Sequence, residues 1–147
     1  MHNAIVWKAL NGRIQSLTLS RFPKMESLPE GIQHLTSLRD LRLWNCDGLT
    51  TIPEWIGSLT SLKNLEFWGC PNLTSLPEEI RSLTSLESLE IYHCPILLKR
   101  CQRQIGEDWP KIAHIPQLFL FPDPNEDNGS GKTYTNGTSI NFFVGGF

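Results

Sequence analysis

Cys46, Cys70 and Cys94 recur at a constant 24-residue interval, and Cys101 follows the last of them closely. Regularly spaced thiols raise two chemistries, a metal centre and a disulfide. The pattern fits neither. No C-x-x-C pair is present, and equivalent positions in successive turns of a repeat form a ladder, not the converging set that a tetrahedral metal requires. A small buried thiol with a weak donor explains the column better. His93 stands beside Cys94, but adjacent strand residues point to opposite faces.

Other motifs dissolve on inspection. NGSGKT at 128–133 resembles the end of a phosphate-cradling loop, yet the G-x-x-x-x-G-K-[ST] spacing requires glycine at 126, where the chain has Glu126. The stretch also follows Pro122–Pro124 and runs into Thr-Asn-Gly, without the flanking strand and helix such a loop needs. Asn72, Asn128 and Asn136 begin glycosylation sequons, but the first residues lack a secretory signal, so these report no chemistry. No Ser/His/Asp, Cys/His or paired-carboxylate arrangement is apparent, and the four histidines are scattered. The sequence therefore points away from an enzyme and calls for no cofactor and no metal.

The elements that position these residues come from a repeated phrase. LPEGIQHLTSL, IPEWIGSLTSL and LPEEIRSLTSL begin at Leu28, Ile52 and Leu76. A fixed period of this length marks a solenoid. With Ile14, Leu38, Leu62 and Leu86 as first positions, Leu17, Leu41, Leu65 and Leu89 fall fourth. Leu19, Leu43, Phe67 and Ile91 fall sixth, and Phe22, Cys46, Cys70 and Cys94 ninth. Each unit opens L-x-x-L-x-L-x-x-C, the leucine-rich-repeat pattern of one short strand per turn. Alternation turns the fourth and sixth side chains inward, and strands of successive turns pair in parallel about 4.8 Å apart. Ser27, Thr51 and Ser75, each followed three residues later by Glu30, Glu54 and Glu78, have capping-box spacing for a helix start. Ile32, Ile56 and Ile80, then Leu35, Leu59 and Leu83, follow at helical spacing toward the core. No single turn buries its apolar side alone, so stacking builds the core.

The expected architecture is an α/β solenoid, a leucine-rich-repeat horseshoe with 24-residue turns, a parallel concave sheet and short helical segments on the convex side. Residues 1–13 read as the remnant of a preceding repeat, with Trp7 and Leu10 as its trace. The repeats occupy 14–94, as 14–37, 38–61, 62–85 and the opening of a last one at 86–94. Residues 95–117 form a cap, with Trp109, Ile105, Ile112 and Ile115 as its lid, because a terminal repeat must cover the open core. Residues 118–147, rich in Gly, Asn, Asp, Ser and Thr, read as a flexible tail. The N-terminal end shows no comparable lid, so the chain is expected to be a fragment of a longer array or to pack its open edge on something. Lys99, Arg100, Arg103 and Lys111 read as a solvated helix face.

Composition excludes some partners. The 147 residues carry a net charge of −2 with both signs interspersed, which does not favour nucleic acid or an anionic membrane. There is no apolar run long enough to span a bilayer, and a cytoplasmic location is the default.

Residues that differ between copies carry the functional signal. The outward columns are Ser16, Asp40, Asn64, Ser88; then Thr18, Arg42, Glu66, Glu90; then Ser20, Trp44, Trp68, Tyr92. They line the concave sheet, the surface such arrays use for binding. Aromatic residues beside charges have the composition of binding hot spots, although aromatic neighbours on adjacent strands also stabilise one another. Arg42, Trp44, Glu66, Trp68, Glu90 and Tyr92 are the candidate protein-binding residues.

The full unit, L-x-x-L-x-L-x-x-C-P-x-L-x-x-L-P-x-x-I-x-x-L-T-S-L, resembles the leucine-rich-repeat region of plant nucleotide-binding disease-resistance proteins of the coiled-coil class. CPILLKRCQRQIGEDWPKIAHIP resembles the way many of those receptors end, so the resemblance runs from Ile14 to Pro116. It implies an intracellular immune receptor whose repeats recognise pathogen effectors or altered host proteins and hold a nucleotide-binding module off. The chain itself contains no coiled coil, nucleotide-binding domain or phosphate loop, so the family's ATP switch does not carry over. Three alternatives stay open from the residues alone: a general leucine-rich-repeat scaffold for signalling proteins, a cell-surface receptor ectodomain, which the missing secretory signal and the lack of paired cysteines at the ends disfavour, and a truncated resistance-gene product without its own activity.

Overall fold

The computed structural model describes residues 4–121, 130–135 and 140–144. Seven strands lie side by side in chain order: β1 (Ser16–Ser20), β2 (Asp40–Trp44), β3 (Asn64–Trp68), β4 (Ser88–Tyr92), β5 (Gln117–Phe121), β6 (Ser130–Thr135) and β7 (Ile140–Val144). β1 to β5 are parallel, and β6 and β7 continue the sheet antiparallel. The register matches the repeat residue by residue: Leu41 pairs with Leu65 and Leu65 with Leu89, while Leu43 meets Phe67 and Phe67 meets Ile91. The architecture is the leucine-rich-repeat solenoid that the period predicts.

Core formation follows the inward columns. Leu38, Leu41, Leu43, Cys46, Leu62, Phe67, Cys70, Leu89, Ile91 and Cys94 are fully buried, and Leu65 and Leu86 nearly so. Each of β1 to β4 is followed by a left-handed residue, Arg21, Asn45, Gly69 and His93, with φ of 62°, 53°, 68° and 53°. That residue's amide extends the ladder, as where Asn45 N donates to Trp68 O at 2.7 Å and Gly69 N to Tyr92 O at 2.8 Å. Asn and Gly tolerate this conformation at little cost. Further round each turn a second ladder forms, where Thr74 donates to Thr50 O from its amide at 3.1 Å and from its hydroxyl at 3.0 Å.

The return segments Glu30–His34, Glu54–Ser58 and Glu78–Ser82 are 3-10 helices. Three residues per turn align positions i and i+3, so Ile32 with Leu35, Ile56 with Leu59, and Ile80 with Leu83 face the core together, all fully buried. The capping-box expectation fails. Pro29, Pro53 and Pro77 occupy the cap positions in extended or near-extended conformations, with no side-chain cap hydrogen bond. The helix starts at the glutamate itself, so Ser27, Thr51 and Ser75 sit two residues too early to reach its free donors.

Both ends depart from the sequence expectation. At the N-terminal end α1 (Ala4–Leu10) packs against Glu30–His34, with Trp7 and Leu10 partly buried on the core. Gly31 explains how. A Cβ at this position would fall inside the Trp7 indole, and the equivalent positions in the next two copies are Trp55 and Glu79. The repeat loses its side chain where the helix lies over it. Phe22, read as a ninth position, is 38% exposed, unlike the buried cysteines of the same column.

At the C-terminal end α2 (Pro95–Arg100) and α3 (Trp109–Ile112) form the cap, with Leu97, Cys101, Ile112 and Ile115 buried. Trp109 is partly buried and packs against the core, as a lid does, although it is not a fully buried core residue, whereas Ile105 is 73% exposed and takes no part in the lid. Asp108 takes the buried place instead. It accepts hydrogen bonds from Leu76 N at 3.0 Å, Arg100 Nε at 3.1 Å, Arg100 Nη2 at 3.0 Å and Lys111 Nζ at 2.8 Å. Lys111 also donates to Leu76 O at 2.7 Å. Arg100 and Lys111 therefore turn onto a buried carboxylate and are not a solvated basic face.

The flexible-tail reading of 118–147 is corrected over the described residues. Gln-Leu-Phe-Leu-Phe at 117–121 continues the inward alternation, aligning Leu118 with Leu89 and Leu120 with Ile91, and both are buried. Composition hid a strand that completes the parallel sheet. Residues 130–133 of the NGSGKT stretch run within β6 instead of opening a helix. Asn128 and Asn136 lie outside the described residues.

Candidate functional site

The face of the sheet turned away from the 3-10 segments carries the three outward columns in strict register. Arg42 stands opposite Glu66 and Glu66 opposite Glu90; Trp44 stands opposite Trp68 and Trp68 opposite Tyr92. The strands thus bring all six sequence-predicted residues onto one surface. Trp44 and Trp68 meet edge-to-face with ring centroids 5.5 Å apart, and Trp68 and Tyr92 are tilted at 5.5 Å. The file continues onto β5, where Phe121 stacks on Tyr92 at 4.5 Å, nearly parallel. Trp44, Trp68 and Tyr92 are partly exposed, so the rings support one another and still present surface.

The charged column is linked to the rings. Trp44 Nε1 donates to Glu66 Oε2 at 2.7 Å, and Arg42 Nε lies 3.8 Å from the same oxygen. Arg42 also donates to Ser16 Oγ at 2.9 Å. Glu90 has a different environment. Burial and a hydrogen bond to Glu66 push its carboxyl up to about 7, against a smaller opposing effect from Arg42. Tyr92 is pushed up to about 12 by burial and by the charges of Glu90 and Glu66. The third column forms a polar chain, in which Asn64 Nδ2 donates to Asp40 Oδ1 at 2.6 Å and Ser88 Oγ to Asn64 Oδ1 at 2.6 Å. Phe119 of β5, paired with Glu90, extends the middle column. Phe119 and Phe121 escape a strict 24-residue reading because the cap lengthens the interval between β4 and β5; the alternation of 117–121 was the available signal.

The cysteine column lies on the inner side. Each thiol approaches a strand carbonyl of the preceding turn: Cys46 Sγ to Leu19 O at 3.6 Å, Cys70 Sγ to Leu43 O at 3.5 Å and Cys94 Sγ to Phe67 O at 3.7 Å. The position thus favours a small side chain with a weak donor. Burial pushes the Cys46 and Cys101 thiols up, and a hydrogen bond with Cys94, then burial, pushes Cys70 up. Among the described residues no group of three or more His, Cys, Asp or Glu is placed to hold a metal ion. None of the described helices is long and apolar enough to cross a membrane.

Known proteins resemble parts of the chain. Residues 37–94 match the family model described as R13L1/DRL21 leucine-rich repeats. A 26-residue stretch, 18% of the chain, is 69% identical to the putative disease resistance protein RGA1 of Solanum bulbocastanum. A 25-residue stretch, 17% of the chain, is 56% identical to disease resistance protein RGA2 of the same plant. Each match spans 3% of the relative's length. Among solved structures, the leucine-rich repeat domain of the type III effector XCV3220 (XopL) superposes with a TM-score of 0.54 at 26% identity, over 64% of this chain and 30% of that one. The chain is a leucine-rich-repeat solenoid whose residues 37–94 are similar to R13L1/DRL21 leucine-rich repeats and which shares short stretches with plant disease-resistance proteins.

Proposed function

We propose that the chain is the protein-recognition module of a cytoplasmic plant immune receptor, binding pathogen effectors or host proteins through the concave face of its sheet. One observation carries this reading: the residues that vary between copies converge on a single register-matched surface of half-exposed rings flanked by charge. A core position would tolerate only conservative change, whereas Thr18, Arg42, Glu66, Glu90 and Phe119 differ in size and sign along one column. Arg42, Trp44, Glu66, Trp68, Glu90 and Tyr92 make the contacts. In a longer receptor an upstream nucleotide-binding module is the second partner. The solenoid alone does not choose between an immune module and a general signalling scaffold, since one structural neighbour is a domain of a type III effector. The similarity of the repeats to disease-resistance proteins favours the immune reading.

The test compares the intact chain with a Trp44→Ala/Trp68→Ala variant, shown by circular dichroism to be folded, as bait in leaf extract with and without pathogen. A partner retained by the first and lost by the second is expected. Identical capture by both would move the contact off this face.

A further inference from the structure

Glu90 is the one carboxyl of the central column with no cation beside it. Its register neighbours are Glu66 on β3 and Phe119 on β5. Glu66 is provided for, by the Trp44 N–H at 2.7 Å and Arg42 at 3.8 Å, and its side chain is only 13% exposed. Arg42 stands on β2, so its charge reaches Glu90 only across Glu66, and no described ion pair includes Glu90. Among the described residues, the charged and titratable groups of this face are Asp40 and Arg42 from β2, Glu66 from β3, and Glu90 and Tyr92 from β4, while β5 adds the neutral ring of Phe119. With every carboxylate ionised they sum to a surplus of negative charge, held in a half-buried setting where like charges directly opposite are destabilising. Burial and the neighbouring Glu66 push the Glu90 carboxyl up to about 7, which relieves part of this surplus.

A cation from outside would relieve it better. Tyr92 lies two residues along from Glu90 on the same face, and Phe119 lies across from it. Rings beside a carboxylate suit a planar guanidinium, which stacks on an aromatic face and bonds the carboxylate at its edge. A metal ion fits less well, because the described residues offer no third carboxylate, imidazole or thiolate ligand. We propose that the concave face recognises a basic segment of its protein partner, seating an arginine against Glu90 beside Tyr92 and Phe119. This rests on the reading of the concave face as the recognition surface and names the chemistry of what it recognises. The arriving guanidinium keeps its own proton, and the raised Glu90 carboxyl gives its proton to solvent as the cation arrives. Association is then coupled to pH.

The experiment titrates the intact chain with the peptide acetyl-Gly-Gly-Arg-Gly-Gly-amide and with its citrulline counterpart, which has the same shape and no charge. Calorimetry is run in two buffers of different ionisation enthalpy, from pH 6 to 8. The arginine peptide should bind about tenfold more tightly than the citrulline peptide. It should release a fraction of a proton near neutrality, and tighten by at most about tenfold per pH unit across that range. Glu90→Gln, nearly the same shape, should abolish both the preference and the proton release while leaving the circular dichroism unchanged. Equal binding of the two peptides, binding of neither, or pH-independent binding overturns the proposal. The two readings fail differently. A leaf-extract partner lost by Trp44→Ala/Trp68→Ala but kept, at all pH values, by Glu90→Gln leaves the recognition face standing and sinks the basic ligand. A partner kept by every variant sinks the recognition face itself.

Discussion

The two ends of the solenoid are closed by different physics. At the C-terminal end a wholly buried carboxylate, Asp108, ties two cations of the cap to both the amide and, through Lys111, the carbonyl of Leu76 in the preceding turn. At the N-terminal end a short helix rests one indole on a glycine, helped by Asn11, which bonds Thr36 Oγ1 at 3.1 Å and the Ser37 amide at 3.0 Å. Ile5 and Val6 of that helix stay exposed. The first closure is an interlocked ionic network that fails if any member is removed. The second is packing, which weakens by degrees. A buried charge is costly unless all its partners are present, whereas a half-buried ring loses only its own contacts.

This contrast orders the expected effects. Asp108→Ala should be the most damaging change, costing about 3–5 kcal/mol by leaving Arg100, Lys111 and the Leu76 amide without their acceptor. Urea unfolding followed by near-UV circular dichroism measures it, and a loss under 1 kcal/mol would equate the two ends. Gly31→Trp, which copies the next repeat, should cost about 1–3 kcal/mol by evicting Trp7. Hydrogen exchange should then speed up over 4–10 and leave β4 and β5 protected. Trp7→Ala should cost about 2 kcal/mol, with the same local signature.

Acid and base should separate the cap from the face. Burial raises the Asp108 carboxyl, but Arg100, Lys111 and the Leu76 amide more than offset this and hold it below its ordinary value. Its stabilisation is therefore present above the ordinary carboxylate range and is lost as pH falls through its lowered pKa. Glu90 has the opposite sign. Raised to about 7, it contributes stability that is full below its unfolded value and lost as pH rises through neutrality. Denaturant midpoints should thus fall at acid pH in the intact chain and not in the Asp108→Ala variant. The decline from pH 5 to 8 should vanish in Glu90→Gln. Arg42→Gln should change least, within about 1 kcal/mol, because the pair with Glu66 is loose and Arg42 is partly exposed.

Legibility followed the same division. The inward columns and the outward face could be read from the period because stacking forces equivalent residues into register, as Trp44, Trp68 and Tyr92 illustrate. The ends could not, because each is built once. Asp108 looked like an ordinary acidic residue beside a tryptophan; its burial depends on a partner backbone at Leu76, far away in sequence. Gly31 was legible in principle as the odd member of a column that otherwise holds Trp55 and Glu79, but its meaning depended on Trp7. β5 was masked by composition, and the capping spacing misled because a proline cap moved the helix start.

The most direct test of the recognition claim places a photo-crosslinking benzoylphenylalanine at position 42 on the concave face or at position 55 on the convex side, in the intact chain exposed to leaf extract. The account predicts that the captured partner crosslinks from position 42 and not from position 55. Crosslinking from 55 alone would contradict it and assign binding to the convex side.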